Sequence, residues 1–144
     1  MPTPFPHVYV SELEPKDSAA SVLRAPPRPE LIGGNPPEFD GNAEFWSPEH
    51  LLLSALQVCF RGTFNALAGK AGVAPKSYRT RAEARLEKTE AGVVFTQIKL
   101  TAMVDVAAAD VEKTKELLAK AKKYCIVANA LKTEPTLEAQ VRGT

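Results

Sequence analysis

Residues 76–106 constrain the fold of this chain more than any other stretch. In "KSYRTRAEARLEK" the side chains of Tyr78, Thr80, Ala82, Ala84 and Leu86 alternate with charged ones. That period of two is typical of a β-strand with one face in water. The turn "TEAG" then leads into "VVFTQIKLTAMVDV", which is rich in β-branched residues. The two segments are therefore predicted to pair as an antiparallel hairpin.

One helix is predicted on each side of this hairpin. "SPEHLLLSALQVCF" has Ser47 as a candidate N-cap, Pro48 at the first helical position and Glu49 in the first turn, where the helix dipole favours a negative charge. Its apolar residues recur every three or four positions, and we expect the helix to be buried on most sides. The second helix, "DVEKTKELLAKAKKYC", turns its lysines to water and ends at Cys125.

The remaining segments are shorter. "HVYV" alternates like a strand, and "SAASVL" is a candidate partner reached through the turn "EPKD". Residues 24–42 hold five prolines and three glycines, which predicts a loop or an interrupted edge segment. "TLEAQV" is predicted to be a last strand. The order of strands, helix, hairpin, helix and strand indicates a single α+β domain over residues 1–144.

Composition argues against several classes of partner. The formal net charge is +1 with no block of like charges, so we expect neither nucleic acid nor a membrane surface as a partner. We see no signal peptide and no apolar run near the roughly 18 residues of a membrane-spanning helix, so a cytoplasmic location is expected. Two cysteines and two widely separated histidines make a metal site improbable, and no cofactor is expected.

The chemistry of the chain depends on whether its cysteines are reactive. Cys59 lies among apolar residues, where a thiol is inert unless a cation stabilises its thiolate. Arg61 points away from Cys59 on a helix. Arg24 or Arg28, in the proline-rich loop, are therefore the candidate cations, and Glu49 is a candidate bidentate anchor for the arginine.

Glu49 and Cys59 are ten residues apart, about 15 Å along a straight helix. Either the helix breaks between them or the partners come from two subunits, and we favour a site at a dimer interface. Without further information, each residue also has a plain structural explanation. Cys59 and Cys125 can be inert core thiols, Glu49 a first-turn residue that only complements the helix dipole, and the arginines solvated loop residues.

Three segments of the chain resemble the OsmC/Ohr family of thiol-dependent hydroperoxide reductases. "SPEHLLLSALQVCF" resembles the family's N-P-E-x-L-L-x-x-A-x-x-x-C-F helix, including the step from glutamate to cysteine. "AKKYCIVANAL" resembles its second-cysteine motif, A-H-x-x-C-P-x-S-N-A, with Cys125, Asn129 and Ala130 in place. "NPPEFDGNAEFWSPEHLL" resembles the approach to the first helix. The resemblance covers nearly the whole chain.

The resemblance implies an OsmC-like α+β fold with antiparallel sheets, two main helices and an intertwined homodimer. It implies Cys59 as the peroxidatic thiolate that becomes a sulfenic acid, and Cys125 as the resolving thiol that forms a disulfide with it. An external dithiol, lipoyl-linked or small-molecule, would reduce that disulfide. Arg24 would stabilise the thiolate and the departing alkoxide, held by Glu49. The organic chain of the hydroperoxide is expected to contact an apolar surface formed by Leu52, Leu56 and Phe60. Arg28 is a further candidate residue for substrate binding.

Three departures from the family pattern indicate a side branch. The early turn "EPKDSAAS" has no arginine, which makes Arg24 the first candidate and Arg28 the second. Ile126 replaces the proline after the second cysteine, and Ser47 replaces asparagine. The missing arginine keeps a second function open, a non-enzymatic dimeric redox-sensing or ligand-binding module. A third alternative has both thiols as inert core residues.

Overall fold

The computed structural model describes residues 2–144, which form six strands and three helices. The strands are β1 (Glu12–Pro15), β2 (Ala20–Arg24), β3 (Leu31–Gly34), β4 (Ser77–Thr89), β5 (Gly92–Val106) and β6 (Thr136–Gly143). The helices are α1 (Pro48–Ala71), α2 (Val111–Tyr124) and α3 (Ile126–Ala130). The chain divides into two compact units, one ending at Leu51 and the other running from Leu52 to Thr144.

The first unit contains an antiparallel sheet in the order β1-β2-β3. The turn between β1 and β2 is fixed by Asp17, whose Oδ1 accepts hydrogen bonds from the amides of Ala19 (2.8 Å) and Ala20 (2.7 Å). The proline-rich segment was predicted to be a loop or an interrupted edge segment, and it contains the edge strand β3. Gly33 of β3 forms a β-bridge with Trp46. This bridge holds the chain just before α1 begins.

The strand predicted at "HVYV" is wrong. Residues 7–10 form no strand, and Val8 and Tyr9 are 84% and 83% exposed. The partner of β2 is instead Glu12–Pro15, with Glu12 opposite Arg24. The tight turn at Asp17 explains the difference, because a short turn pairs β2 with the residues immediately before it and leaves "HVYV" beyond the end of the strand.

Helix α1 begins where the sequence predicts. Ser47 Oγ accepts a hydrogen bond from the amide of His50 (3.1 Å), as an N-cap residue does. The helix runs without a break to Ala71, which excludes a break between Glu49 and Cys59. Only one face of α1 is buried. It is formed by residues that are four positions apart: Leu56, Phe60, Phe64 and Ala68. Val58 is 74% exposed, so burial on most sides is wrong.

By length and composition alone, α1 is a candidate membrane span, contrary to the sequence expectation. It has an 18-residue window of mean hydropathy 1.3, of which 22% is buried. Core helices of soluble proteins meet the same two criteria, so this observation is weak evidence. Among residues 2–144 it is the one helix that meets them.

The second unit contains a mixed sheet in the order β4-β5-β6. The predicted hairpin is confirmed, with Ser77 opposite Asp105 and a bulge between Arg85 and Leu86. The α+β fold with two sheets is confirmed, but β6 pairs with β5 in parallel, which makes this sheet mixed where antiparallel sheets were expected. Parallel neighbours need a crossover connection, and α2 and α3 form it. Helix α3 was not predicted.

The core of the second unit lies between α1, α2 and one face of β5. Every second residue of β5 is buried from Ile98 to Val106, and Phe64, Leu118 and Ala121 pack in the same cluster. Phe64 is 0% exposed, so its replacement by alanine should cost about 3–5 kcal/mol. Both cysteines belong to this cluster or pack against it.

Candidate functional site

The two cysteines meet in the core of the second unit. Cys59 is half-buried in the middle of α1 and packs against the buried cluster, of which Cys125 is a member at 0% exposure. Both thiols are free. The second helix ends at Cys125, as predicted, since Cys125 is the C-cap residue of α2, and α3 begins at the next residue. Thiols that are far apart in sequence are thus brought together by the packing of α1 against the crossover.

The surroundings of Cys125 favour its neutral thiol. Burial raises the pKa of Cys125 above its ordinary value, and the neighbouring Cys59 side chain raises it further. The amides of Ala128 and Val127, in the first turn of α3, lower it and offset part of this effect. The influence of Cys59 on Cys125 places the two side chains within interaction range of each other.

The backbone around Cys125 is held by its own residues. The amide of Cys125 donates to the carbonyl of Lys122 (3.3 Å), and the carbonyl of Cys125 accepts from the amide of Asn129 (3.0 Å). The Asn129 side-chain amide donates to the carbonyl of Lys123 (3.0 Å). Asn129, one of the motif residues, therefore ties the end of α2 to α3 and fixes the turn that carries the thiol.

Tyr78 and Arg61 are further residues of this region that sequence reasoning did not assign to the site. The Tyr78 ring stacks on Phe64 with centroids 5.6 Å apart, and Arg61 Cζ lies 5.8 Å from the Tyr78 centroid. That Arg61 faces away from Cys59 stays a prediction from their spacing on the helix. In the sequence, the one feature of Tyr78 that could have pointed to the site is its inward position in the alternation of β4. Packing explains that position equally well.

Glu49 lies in the first turn of α1, in the first unit. Its Oε1 is buried and has no hydrogen-bond partner among residues 2–144. No arginine forms an ion pair with it there. Arg24 instead bridges Glu14 (2.5 Å) and Glu30 (2.9 Å), and Arg28 donates to the carbonyl of Ala25 (3.3 Å). The Glu30 and Glu14 carboxylates raise the pKa of Arg24. The arginine–Glu49 pair stays a prediction.

The predicted substrate-binding residues of α1 differ in burial. Leu56 and Phe60 are 1% and 0% exposed and belong to the core cluster, while Leu52 is half-buried. The burial of Leu56 and Phe60 shows that both side chains pack in the core. Contact with a substrate chain stays a prediction. As for metals, no group of three or more His, Cys, Asp or Glu side chains able to hold an ion occurs in the described part of the chain.

Comparison with known proteins places this arrangement in a family. Residues 41–140 match the sequence profile of the OsmC-like proteins. Peroxiredoxin OsmC of Escherichia coli is 35% identical over 97 residues, which are 67% of this chain and 68% of that protein. The family match, over residues 41–140, covers α1, the hairpin and both cysteines.

Solved structures share the fold. An OsmC-like protein of unknown function from Vibrio cholerae superposes with a TM-score of 0.84 at 18% identity, over 92% of this chain and 99% of that one. An organic hydroperoxide resistance protein from Elizabethkingia anophelis gives 0.74 at 17% identity, over 97% and 100%. From its sequence match and its fold, this chain belongs to the OsmC-like protein family.

Proposed function

We propose that the protein is a cysteine-based peroxidase that reduces organic hydroperoxides and also inorganic peroxide. The observation that carries the proposal is the pairing of the half-exposed Cys59 with the buried Cys125 in one cluster. Peroxidase activity is named for its relative, Peroxiredoxin OsmC. A pair with one accessible and one buried thiol suits a reaction in which only the first thiol meets the substrate.

In the first step the Cys59 thiolate attacks one peroxide oxygen. The O–O bond breaks, the alkoxide leaves and takes up a proton, and Cys59 becomes a sulfenic acid. The peroxide is thereby reduced to an alcohol by two electrons. A cation near the departing oxygen would stabilise its negative charge, which is the role proposed for an arginine.

In the second step the Cys125 sulfur attacks the sulfenic sulfur of Cys59. A disulfide forms, and the hydroxyl group leaves as water after protonation. An external dithiol, lipoyl-linked or small-molecule, then reduces the disulfide. The packing of Cys59 against the buried cluster that contains Cys125 supports this step, which we expect to need only local movement.

The arginine of the site is proposed to pair with Glu49. The unpartnered Oε1 of Glu49 supports this, because a buried carboxylate oxygen needs a donor. Arg24 would have to leave two carboxylates, whereas Arg28 would leave a single carbonyl. These contacts favour Arg28 over Arg24, the reverse of the order proposed from the sequence.

A homodimer is part of the proposal. Several large apolar side chains are exposed in a single chain: Phe5, Val8, Tyr9 and Val10 in the first unit, at 69% or more, and Val58 in the second, at 74%. Large apolar side chains that are exposed in one chain are candidates for burial at an interface. A partner subunit that covers these residues would also be the source of the missing donor to Glu49.

A second candidate is a redox switch without efficient turnover. The ion pairs of Arg24 favour it, because in this structure the Arg24 guanidinium contacts Glu14 and Glu30 and not a thiolate. The two functions share the disulfide and differ in whether peroxide is consumed repeatedly.

The test is consumption of an alkyl hydroperoxide with dihydrolipoamide or dithiothreitol in excess. We expect sustained turnover, lost by about a thousandfold or more in Cys59→Ser because the nucleophile is gone. In a separate reaction without added dithiol, Cys125→Ser should consume one equivalent of peroxide and accumulate a sulfenic acid that a dimedone label detects. Disulfide formation without sustained turnover in the wild-type protein indicates the switch, and no reaction of either thiol at neutral pH indicates inert cysteines.

A further inference from the structure

The charges of this chain are divided unequally between its two units. Residues 1–51 contain eight acidic and three basic side chains, a formal charge of −5. Residues 52–144 contain nine acidic and fifteen basic side chains, a formal charge of +6. The net charge of +1 conceals this division. Opposite charges on two surfaces favour and orient their association, so the first unit suits a basic surface and the second an acidic one.

Much of the negative charge of the first unit lies on an exposed turn, residues 37–44, which we call the acidic turn. Glu38, Asp40 and Glu44 are exposed, and none of them forms an ion pair among residues 2–144. Phe39 stands between the first two and is 48% exposed. The acidic turn thus presents an aromatic ring between carboxylates that have no cation of their own.

The backbone of the acidic turn is fixed by its own contacts. The amides of Phe39 and Gly41 both donate to the carbonyl of Pro36, at 2.9 and 3.0 Å. Gly41 lies so close to Asn35 that a Cβ atom there would be 1.7 Å from the Asn35 carbonyl oxygen. A turn that is already ordered loses little conformational freedom on binding. Exposed aromatic residues on such a support are typical of the central part of an interface.

The second unit has a cleft of complementary chemistry between α2 and the segment that joins α3 to β6. Its volume is about 420 Å³, and its apolar lining includes Ala128, Leu131 and Pro135. An apolar cavity of about 150 Å³ already accepts a benzene ring. The cleft therefore has room for one aromatic side chain.

Four lysines surround this cleft, and we call the cleft together with them the basic cleft. Lys122 and Lys123 line it, while Lys120 and Lys132 directly follow lining residues in the chain. Lys122 pairs with Glu134 at 2.8 Å. The other three lysines are exposed and form no ion pair among residues 2–144. The basic cleft thus offers three positive charges to carboxylates from outside.

We infer that two copies of this chain associate by placing the acidic turn of each in the basic cleft of the other. The Phe39 ring enters the cleft, and the carboxylates around it face the unpaired lysines. A second copy is the occupant because it carries both the acidic turn and the nearly equal opposite charge. In a two-fold dimer the contact occurs twice. The inference deepens the homodimer of the proposed function by naming the surfaces that form it.

The test is the dimer dissociation constant of the full chain, measured by sedimentation velocity over a dilution series at low ionic strength. The turn variant carries Glu38→Lys and Glu44→Lys, and the cleft variant carries Lys120→Glu and Lys123→Glu. We expect each variant alone to raise the dissociation constant at least about tenfold, because like charges then face each other in both contacts. Asp40 is kept, since its positive φ of 58° suits aspartate better than lysine.

Mixing the two variants separates this contact from misfolding and from a contact within one chain. In a heterodimer, the reversed turn of one variant meets the reversed cleft of the other, and the two unchanged surfaces also match. We therefore expect an equal mixture to dimerise with a dissociation constant close to that of the wild-type protein. Phe39→Ser, which changes no charge, should raise the dissociation constant about tenfold.

The matched control carries Arg79→Glu and Lys88→Glu, which changes the net charge of the second unit as much as the cleft variant does. Both residues are exposed on β4 and form no ion pair among residues 2–144. We expect its dissociation constant to stay within about twofold of the wild-type value, because exposed charges outside an interface contribute little.

Each outcome bears on the inference. A wild-type protein that stays monomeric overturns it, and so does a dimer that neither reversal weakens, a mixture that does not recover, or a control as weak as the cleft variant. If the wild-type protein still reduces peroxide in those cases, the peroxidase stands without this interface. Recovery on mixing, in a protein that consumes no peroxide, supports this inference and contradicts the peroxidase.

Discussion

Cys59 and Cys125 meet in the same cluster but have opposite surroundings. Cys59 is half-exposed on a long, regular helix, while Cys125 is fully buried at a turn between two helices. Burial raises the pKa of Cys125, and the amides of α3 only partly offset this. The difference teaches that accessibility and ease of ionisation belong to the surroundings of each thiol rather than to the cysteine itself.

The contrast in accessibility between Cys59 and Cys125 should produce the largest effect, a difference between their rates of alkylation. In the reduced, folded protein we expect Cys59 to react with iodoacetamide about a hundredfold faster than Cys125, which must wait for local opening. Mass spectrometry of peptides after timed alkylation measures both rates. In guanidinium chloride the two rates should become equal. Equal alkylation rates of the two cysteines in the folded protein would contradict the difference in accessibility.

The contrast in burial should also affect stability. We expect Cys125→Ser to lower the free energy of unfolding by about 1–3 kcal/mol, because a hydroxyl group replaces an apolar sulfur in a closed site. Cys59→Ser should cost less than about 1 kcal/mol at its half-exposed position. Urea unfolding under reducing conditions measures both changes. A larger loss in Cys59→Ser than in Cys125→Ser contradicts this ranking.

The smallest expected effect is a pH dependence of stability. The folded pKa of Cys125 is raised above its ordinary value of 9.0, so its stabilising contribution is complete below that pH and is lost as the pH rises above it. From neutral pH to about pH 10, the wild-type protein should therefore lose more stability than Cys125→Ala. Urea midpoints across this range measure the difference, and parallel profiles would show that burial of Cys125 has no such effect.

Much of the fold was predictable because its elements are long and regular. The alternation from Tyr78 to Ala84 and the start of α1 at Ser47 and Pro48 place the hairpin and the first helix correctly. Parallel pairing of β5 with β6 was not predictable, since register between distant segments leaves no local signal. Helix α3 has five residues, too few for a helical period to show.

The candidate site was predictable in part. Spacing and motif pointed to Cys59 and Cys125, and the structure places them in one cluster. The buried hydroxyl group of Tyr78, which has no hydrogen-bond partner among residues 2–144, was not predictable, because alternation says only which way a side chain points. The prediction of a strand at "HVYV" was wrong for a related reason. The pattern of this segment fits a strand, but which residues pair with β2 depends on the length of the turn that Asp17 fixes.

The parallel pairing of β6 affects how this protein is made. A ribosome delivers Cys125 before β6, whose Leu137 and Val141 pack against the buried cluster. β5 meanwhile lacks one of its two neighbours. The surroundings of this thiol are therefore incomplete until β6 has been made, and up to that point the nascent chain carries its second thiol with less cover.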